Sequence, residues 1–240
     1  MNILEMKDRV LFALSVPKCV CCRQKLDFGQ KALCGECSES LEEYSVRSCS
    51  RCARPLMECN CSNKFLETHF VKQVIKCYRY KSDDDTSPSS ALIYSLKRDN
   101  RNDVLDKTSD LLIKALTNNF DDLCDCIITN IPRREAAIVE YGLDHSALLA
   151  KEIARKNGAE YISFFKSKAK REQKSLNHLE RRKNADFILT HECDLTKRRV
   201  IIVDDIITSG ASMSNAATLL RSLNCRDITA AALAIAYKDD

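Results

Sequence analysis

Residues 199–203 are Arg199, Val200, Ile201, Ile202 and Val203, an aliphatic run suited to a strand buried on both faces of a parallel sheet. Two carboxylates, Asp204 and Asp205, follow at once, and then Thr208, Ser209, Gly210, Ala211 and Ser212. From 212 to 223 the apolar spacing is helical, with Asn224 near the C-terminal cap. Open α/β sheets bind ligands at the carboxyl ends of their strands. A turn of small hydroxylic residues with one glycine lets backbone N–H groups approach a phosphate, and the new helix adds its positive end. A ligand made only of phosphate would be repelled by Asp204 and Asp205. A sugar phosphate fits better, its hydroxyls donating to the acids while the loop holds the phosphate.

The rest of the C-terminal part alternates in the same manner. Residues 70–80 read as a strand and 82–90 as a polar, acidic loop. Residues 91–96 and 104–116 have helical periodicity. A short apolar strand from Cys126 ends at Pro132; 146–156 is a helix closed by Asn157 and Gly158; 161–165 is a second strand, 199–203 a third and 227–236 a last one. This order indicates βαβ units and a parallel sheet. A chain of 240 residues has room for one such domain and a small attachment.

The attachment is set by cysteine. Fourteen cysteines are present, nine of them from Cys19 to Cys61. The N-terminal run Val10 to Val16 has acids, Glu5 and Asp8, where a signal peptide needs positive charge, and no cleavage site follows. It reads as a short amphipathic helix, with peripheral contact to a membrane as the minority reading. A reducing, cytoplasmic setting is therefore expected, and clustered thiols there mean metal rather than disulfides. Residues 1–65 cannot build a core from their own side chains and need such a staple. Cys19, Cys22, Cys34 and Cys37 form two Cys-x-x-Cys knuckles, a tetrahedral set for one structural Zn²⁺. Cys49, Cys52, Cys59 and Cys61 are a second, tighter set for a second ion. A crossed pairing between the sets, or an iron–sulfur cluster, uses the same ligands. Cys21 reads as a spare. Cys77, Cys124, Cys126, Cys193 and Cys225 read mostly as core, and His145 and His178 as non-metal residues. The expected division is 1–65 for the metal module and 66–240 for the α/β domain.

The segment 203–212 resembles the phosphoribosyl-diphosphate (PRPP) motif of type I phosphoribosyltransferases. Further blocks are similar to the ComF competence family: Pro132-Arg133-Arg134, the stretch 141–150, Gln173-Lys174-Ser175-Leu176, then Glu180-Arg181-Arg182-Lys183-Asn184-Ala185 and Phe187, with the Cys-rich N-terminus. The resemblance implies an α/β fold, a type I phosphoribosyltransferase-like parallel sheet flanked by helices, with a small N-terminal Cys-rich zinc module. Asp204 and Asp205 would contact the ribose hydroxyls, with Asp205 open to either role, ribose anchor or catalytic base. Thr208, Ser209, Gly210, Ala211 and Ser212 would cradle the 5′-phosphate. Arg133 and Arg134 would meet the pyrophosphate, and Mg²⁺ would bridge it. Lys174, Arg181 and Arg182 would lie on a flexible loop closing over PRPP. The family usually has Arg-Gly-Phe-Asn-Gln where this chain has Tyr141, Gly142, Leu143, Asp144 and His145; a basic side chain is lost and an acidic one gained, which shifts the burden to Arg133.

Two functions follow from the resemblance. One is PRPP binding, with or without transfer of the ribosyl group to a nucleophile that displaces pyrophosphate. The other is a role in natural transformation, on incoming single-stranded DNA or competence-machinery proteins in the cytoplasm, with the inner face of the membrane as a further option. An adaptor whose fold senses PRPP or is catalytically inactive is the alternative. The net charge of +4 does not argue for nucleic acid, but 166–183 carries eight basic residues against Glu172 and Glu180. No acceptor pocket is legible; its territory would be the metal module and residues 80–97.

Overall fold

The structure, a computed structural model, describes residues 16–80, 87–167 and 187–236. Five parallel strands form one sheet in the order β1-β7-β6-β2-β3. They are β1 Gln73–Arg79, β2 Cys126–Asn130, β3 Glu160–Tyr161, β6 Arg199–Ile207 and β7 Asp227–Ile235; β4 Phe165–Ser167 and β5 Phe187–Leu189 pair antiparallel as a separate ribbon. Helices α1 (Gly35–Ser45) and α2 (Lys64–Thr68) belong to the Cys-rich region. Then follow α3 (Pro88–Arg98), α4 (Asn102–Thr117), α5 (Glu135–Tyr141), α6 (His145–Asn157) and α7 (Ala211–Ser222).

Alternation along β6 divides the core. Ile201 and Val203 pack with Leu92, Leu112, Leu149 and Ile153 from α3, α4 and α6. Val200 and Ile202 face the other way, onto Met213, Ala216 and Leu220 of α7 and Phe165 and Phe187 of the ribbon. Both faces are covered, so the aliphatic run has the burial its composition predicted.

The expected helices are present, with ends set by caps. Asp144 accepts the Ala147 N–H at 3.1 Å to open α6, and Gly158, with φ of 64°, closes it. Ser87 accepts from Ser90 N–H ahead of Pro88, so 88–90 are helix rather than the expected loop. The strand expected over 161–165 divides: only Glu160–Tyr161 joins the sheet, while Phe165 turns away into the ribbon with Phe187. Helix α5 was not read from the sequence. The opening helix expected over residues 10–16 lies, but for Val16, outside the described residues, and among those described no helix is long and apolar enough to cross a membrane.

The Cys-rich region adds its apolar side chains to the domain's core. Val20, Leu26, Leu33 and Leu41 are buried in the cluster that holds Ile75, Leu92 and Leu96. Ala32 N–H donates to Asp103 at 3.0 Å, and Arg101 donates to the Lys18 carbonyl at 2.8 Å. Helix α2 spans the expected 65/66 division.

Candidate functional site: a crevice at the ends of β2 and β6

The chain leaves β2 towards β3 on one side and leaves β6 towards β7 on the other. Their following loops therefore diverge, and a crevice opens where ligands of such sheets bind. β2 has five residues and ends at Asn130 opposite Val203; β6 has nine. Beyond Val203, β6 stays paired only to β7, with Asp204 opposite Ala232 and Ile207 opposite Ile235. The acids thus lie inside the strand, not after it as expected. The longer partner β7 carries the pairing past the point where β2 stops.

The loop after β6 is as the sequence suggested. Thr208, Ser209 and Ala211 are exposed, and Ser212 is half-buried. Gly210 sits at the N-cap of α7 with φ of 84°, a left-handed conformation that favours glycine. A Cβ there would lie 2.9 Å from Leu66 Cδ2. Leu66 belongs to α2, so the segment following the second cysteine set packs against the loop.

Arg133 and Arg134 follow β2. Arg133 is half-buried, its N–H donating to Asp144 Oδ2 at 3.2 Å and its guanidinium to His145 Nδ1. His145 is buried and its Nε2 donates to Asn100 Oδ1 at 2.9 Å. Burial and the Arg133 charge hold the His145 pKa below its ordinary value, in keeping with a neutral ring that accepts from Arg133. Asp144, the acid that seemed unfavourable for an anion, is engaged as the cap of α6, accepting also from Ser146 Oγ at 2.8 Å. His145 thus anchors Arg133. Arg134 stands exposed at the start of α5.

Lys97 of α3 was missed. Its Nζ lies 3.0 Å from Asp205 Oδ2. Burial and the neighbouring Asp205 push the Asp204 pKa well above the ordinary carboxylate range, while Lys97 opposes the shift. A carboxyl raised in the folded state loses stability for the fold as pH climbs above the ordinary carboxylate range. Asp204→Asn is therefore expected to raise the melting temperature near pH 7, by roughly 2–4 °C per kcal/mol relieved. The gain should vanish near pH 4, about where unfolded Asp titrates. Melts across that range check it; an Asn variant no more stable at pH 7 would contradict it.

The eight metal-candidate cysteines gather in two groups, Cys19/Cys22/Cys34/Cys37 and Cys49/Cys52/Cys59/Cys61, with ligand atoms in each within 4.8 Å of one another. The pairing is therefore uncrossed. The knuckles repeat: Cys19 N–H bonds to Gln24 O and Arg23 N–H to Cys19 O, as Cys49 N–H bonds to Arg54 O and Ala53 N–H to Cys49 O. Arg23 and Ala53 both have left-handed φ, 66° and 58°. Four convergent sulfurs without an open position are a structural site's donor set, and both groups could hold zinc. Burial opposes ionisation of Cys19, yet the N–H groups of Cys34, Cys22 and Cys21 bring its pKa down to about 7. Burial and the neighbouring Cys52 and Cys59 push Cys61 up to about 12, so metal binding there must release a proton. Buried Lys76 of β1 donates to Cys59 Sγ at 3.1 Å and to the Cys61 carbonyl at 2.8 Å. A lysine in a strand gives no sequence signal for this.

Of the other cysteines, Cys77, Cys126 and Cys225 are buried as expected. Cys124 is exposed, its thiol donating to Asp122 at 2.9 Å, and Cys193 is only half-buried. Lys174, Arg181 and Arg182 lie outside the described residues, as does His178.

Residues 143–239 match the phosphoribosyl transferase domain family. The chain is 26% identical over 216 residues to "DNA utilization protein YhgH" of Escherichia coli O157:H7, covering 86% of this chain and 92% of that protein. The purine phosphoribosyltransferase of Pyrococcus horikoshii Ot3 is similar over 54% of this chain and 73% of its own, at 17% identity and a TM-score of 0.34. The class defined by the parallel sheet, the loop after β6 and the matched domain is that of phosphoribosyltransferase-like α/β proteins. Beside that domain stands a Cys-rich N-terminus that forms two Cys₄ groups, and the likeness to the E. coli protein runs over most of the chain.

Proposed function

We propose that the crevice binds PRPP with Mg²⁺, and that the protein acts through this site in DNA uptake. The observation that carries the reading is the overhang of β6, which presents Asp204 and Asp205 beside a glycine-capped helix and a hydroxylic loop. The acids accept from the ribose hydroxyls. N–H groups of 209–212 and the end of α7 hold the 5′-phosphate. Arg133, fixed by His145, meets the pyrophosphate with its planar fork of donors. Mg²⁺ would supply charge neutralisation at the diphosphate. Binding is the activity assigned; Asp205 would serve as ribose anchor, or as a base if an acceptor is supplied. Calorimetry with PRPP and Mg²⁺ should show Asp204→Ala/Asp205→Ala weakened by at least tenfold. Equal binding by both proteins, or none by either, would refute the reading.

A second surface favours contact with single-stranded DNA, in keeping with the name of the E. coli relative, a DNA utilization protein. Phe65 and Phe70 are 43% and 45% exposed, the Phe65 ring lies 4.4 Å from His69, and Arg221 covers Phe70 at 5.1 Å. Phe70 has a φ of 72°, a costly conformation for a bulky residue that keeps its ring at the surface. Lys64 and Lys72 are exposed beside them in sequence. Bases stack on such rings and phosphates pair with such cations. Phe65→Ala/Phe70→Ala should lower oligonucleotide affinity by roughly 30-fold or more, at about 1–3 kcal/mol for each of two stacked bases. Wild-type affinity should fall steeply with salt. A flat salt response with unchanged variant affinity would exclude this surface.

A further inference from the structure

Cys21 belongs to neither Cys₄ group, yet it stands against the first. It lies between Cys19 and Cys22 on the knuckle, half-buried, and its thiol hydrogen-bonds with that of Cys37 on α1. Cys19 and Cys34 also lie within electrostatic reach of it. Five sulfurs thus converge where a zinc ion takes four. Cys21 lines a cavity of about 410 Å³ beside exposed Arg23, which gives small solutes a path to the fifth sulfur.

The second group has no such neighbour among the described residues. Cys77 is the next thiol along the chain, but strand alternation turns it away from Lys76 and Cys59. It is buried in the core, and its thiol donates to the Leu111 carbonyl at 3.5 Å. The two groups therefore have the same donor set and differ in the spare thiol.

Thiolates attack peroxides, and the sulfenic acid that results condenses with a neighbouring thiol. The resolving thiol must be a sulfur the metal does not hold, because the four ligands are fixed at the corners of a tetrahedron. Cys21 meets that requirement.

We propose that Cys21 is the resolving thiol of a peroxide-sensitive switch, in which oxidation joins Cys21 to Cys37 and expels the first zinc ion. The Cys37 thiolate attacks one peroxide oxygen. The S–O bond forms, the O–O bond breaks, and the departing hydroxide takes a proton from solvent. Cys21 sulfur then attacks Cys37 sulfur. The S–S bond forms, the S–O bond breaks, and the hydroxide leaves as water with the Cys21 proton. Two sulfurs give up two electrons between them, and one peroxide becomes two waters. The ion is left with three ligands and dissociates. A dithiol reductant reverses the bridge by exchange. The unit keeps its place because Val20, Leu33 and Leu41 remain in the domain core. None of this depends on whether the crevice binds PRPP.

The test treats the full-length, zinc-loaded protein with hydrogen peroxide in the presence of a chromogenic zinc chelator. Wild type should release one zinc ion per chain ahead of the other, and peptide mapping should find a Cys21–Cys37 disulfide. Dithiothreitol followed by zinc should restore the starting protein. Cys21→Ser should bind as much zinc as wild type and release the first ion at least tenfold more slowly under peroxide. Cys21→Ala, which lacks any hydrogen-bonding group, should behave in the same way. With chelator alone, wild type and both variants should release zinc at one rate, which separates a missing resolving thiol from a loosened site. Equal release under peroxide from wild type and Cys21→Ser overturns the proposal. So does a variant that binds less zinc, which would make Cys21 a ligand. A bridge between Cys22 and Cys34, whose sulfurs lie 3.6 Å apart, in place of one from Cys21 overturns it as well.

Discussion

Gly210→Ala is expected to weaken PRPP binding by at least an order of magnitude and to destabilise the protein by about 2–5 kcal/mol. The left-handed backbone alone costs a residue with a Cβ roughly 1–2 kcal/mol. Overpacking adds roughly 1–3 kcal/mol, because the new methyl would lie 2.9 Å from Leu66 Cδ2 and 3.0 Å from Cγ. Leu66 is fully buried and cannot swing out. The loop must shift instead, and with it the N–H groups at the start of α7. Leu66→Ala makes the test specific. Alone it leaves a cavity; combined with Gly210→Ala it removes the clash, so the double variant should be more stable than the sum of the singles by at least about 1 kcal/mol. Thermal melts and PRPP titration read both effects. Additive losses, or a Gly210→Ala protein that binds PRPP normally, would show that α2 does not brace the loop.

Loss of the second Cys₄ group should be the other large effect. Cys59→Ser removes a buried ligand and leaves Lys76 Nζ beside a hydroxyl in place of a sulfur. A zinc ion held by four thiolates carries net negative charge, and buried Lys76 offsets it. The variant should release zinc to a chelator and melt lower by about 10 °C or more, since structural zinc contributes folding free energy outright. PRPP binding should fall with it, because Cys61 lies only five residues before Leu66 and the Gly210 contact depends on α2. Lys76→Met keeps all four sulfurs and should still speed zinc release about tenfold, a readout that mere core packing would not move. Cys22→Ser, in the first group, should spare the loop far more. Equal zinc release from wild type and Lys76→Met would refute the charge argument, and PRPP binding unaffected by Cys59→Ser would refute the coupling.

The local chemistry of the chain was legible wherever neighbours in sequence do the work. The run from Val200 to Val203 announced a doubly buried strand, Asn157 and Gly158 announced the end of α6, and the Cys-x-x-Cys spacing announced metal groups. Ser87-Pro88 was a readable helix start that the polar surroundings obscured. The break between Tyr161 and Phe165 was not readable, because both halves have strand composition and only the pairing partners differ.

By itself, the sequence determined the α/β class, the hydroxylic, glycine-bearing loop after β6, the acids ahead of it and the eight cysteines. Each of these is a property of consecutive residues and their spacing. The tertiary structure alone decided that the acids sit within β6, because that depends on β7 outrunning β2. It also decided that Lys97 meets Asp205, that His145 anchors Arg133, that Lys76 reaches Cys59 and that Leu66 lies under Gly210. The hydroxylic loop was thus written in the chain from the start. What surrounds and braces it comes from segments about 12 to 144 residues apart, and such contacts leave no local pattern to read, because chain entropy lets any distant pair meet and only packing of the whole selects one.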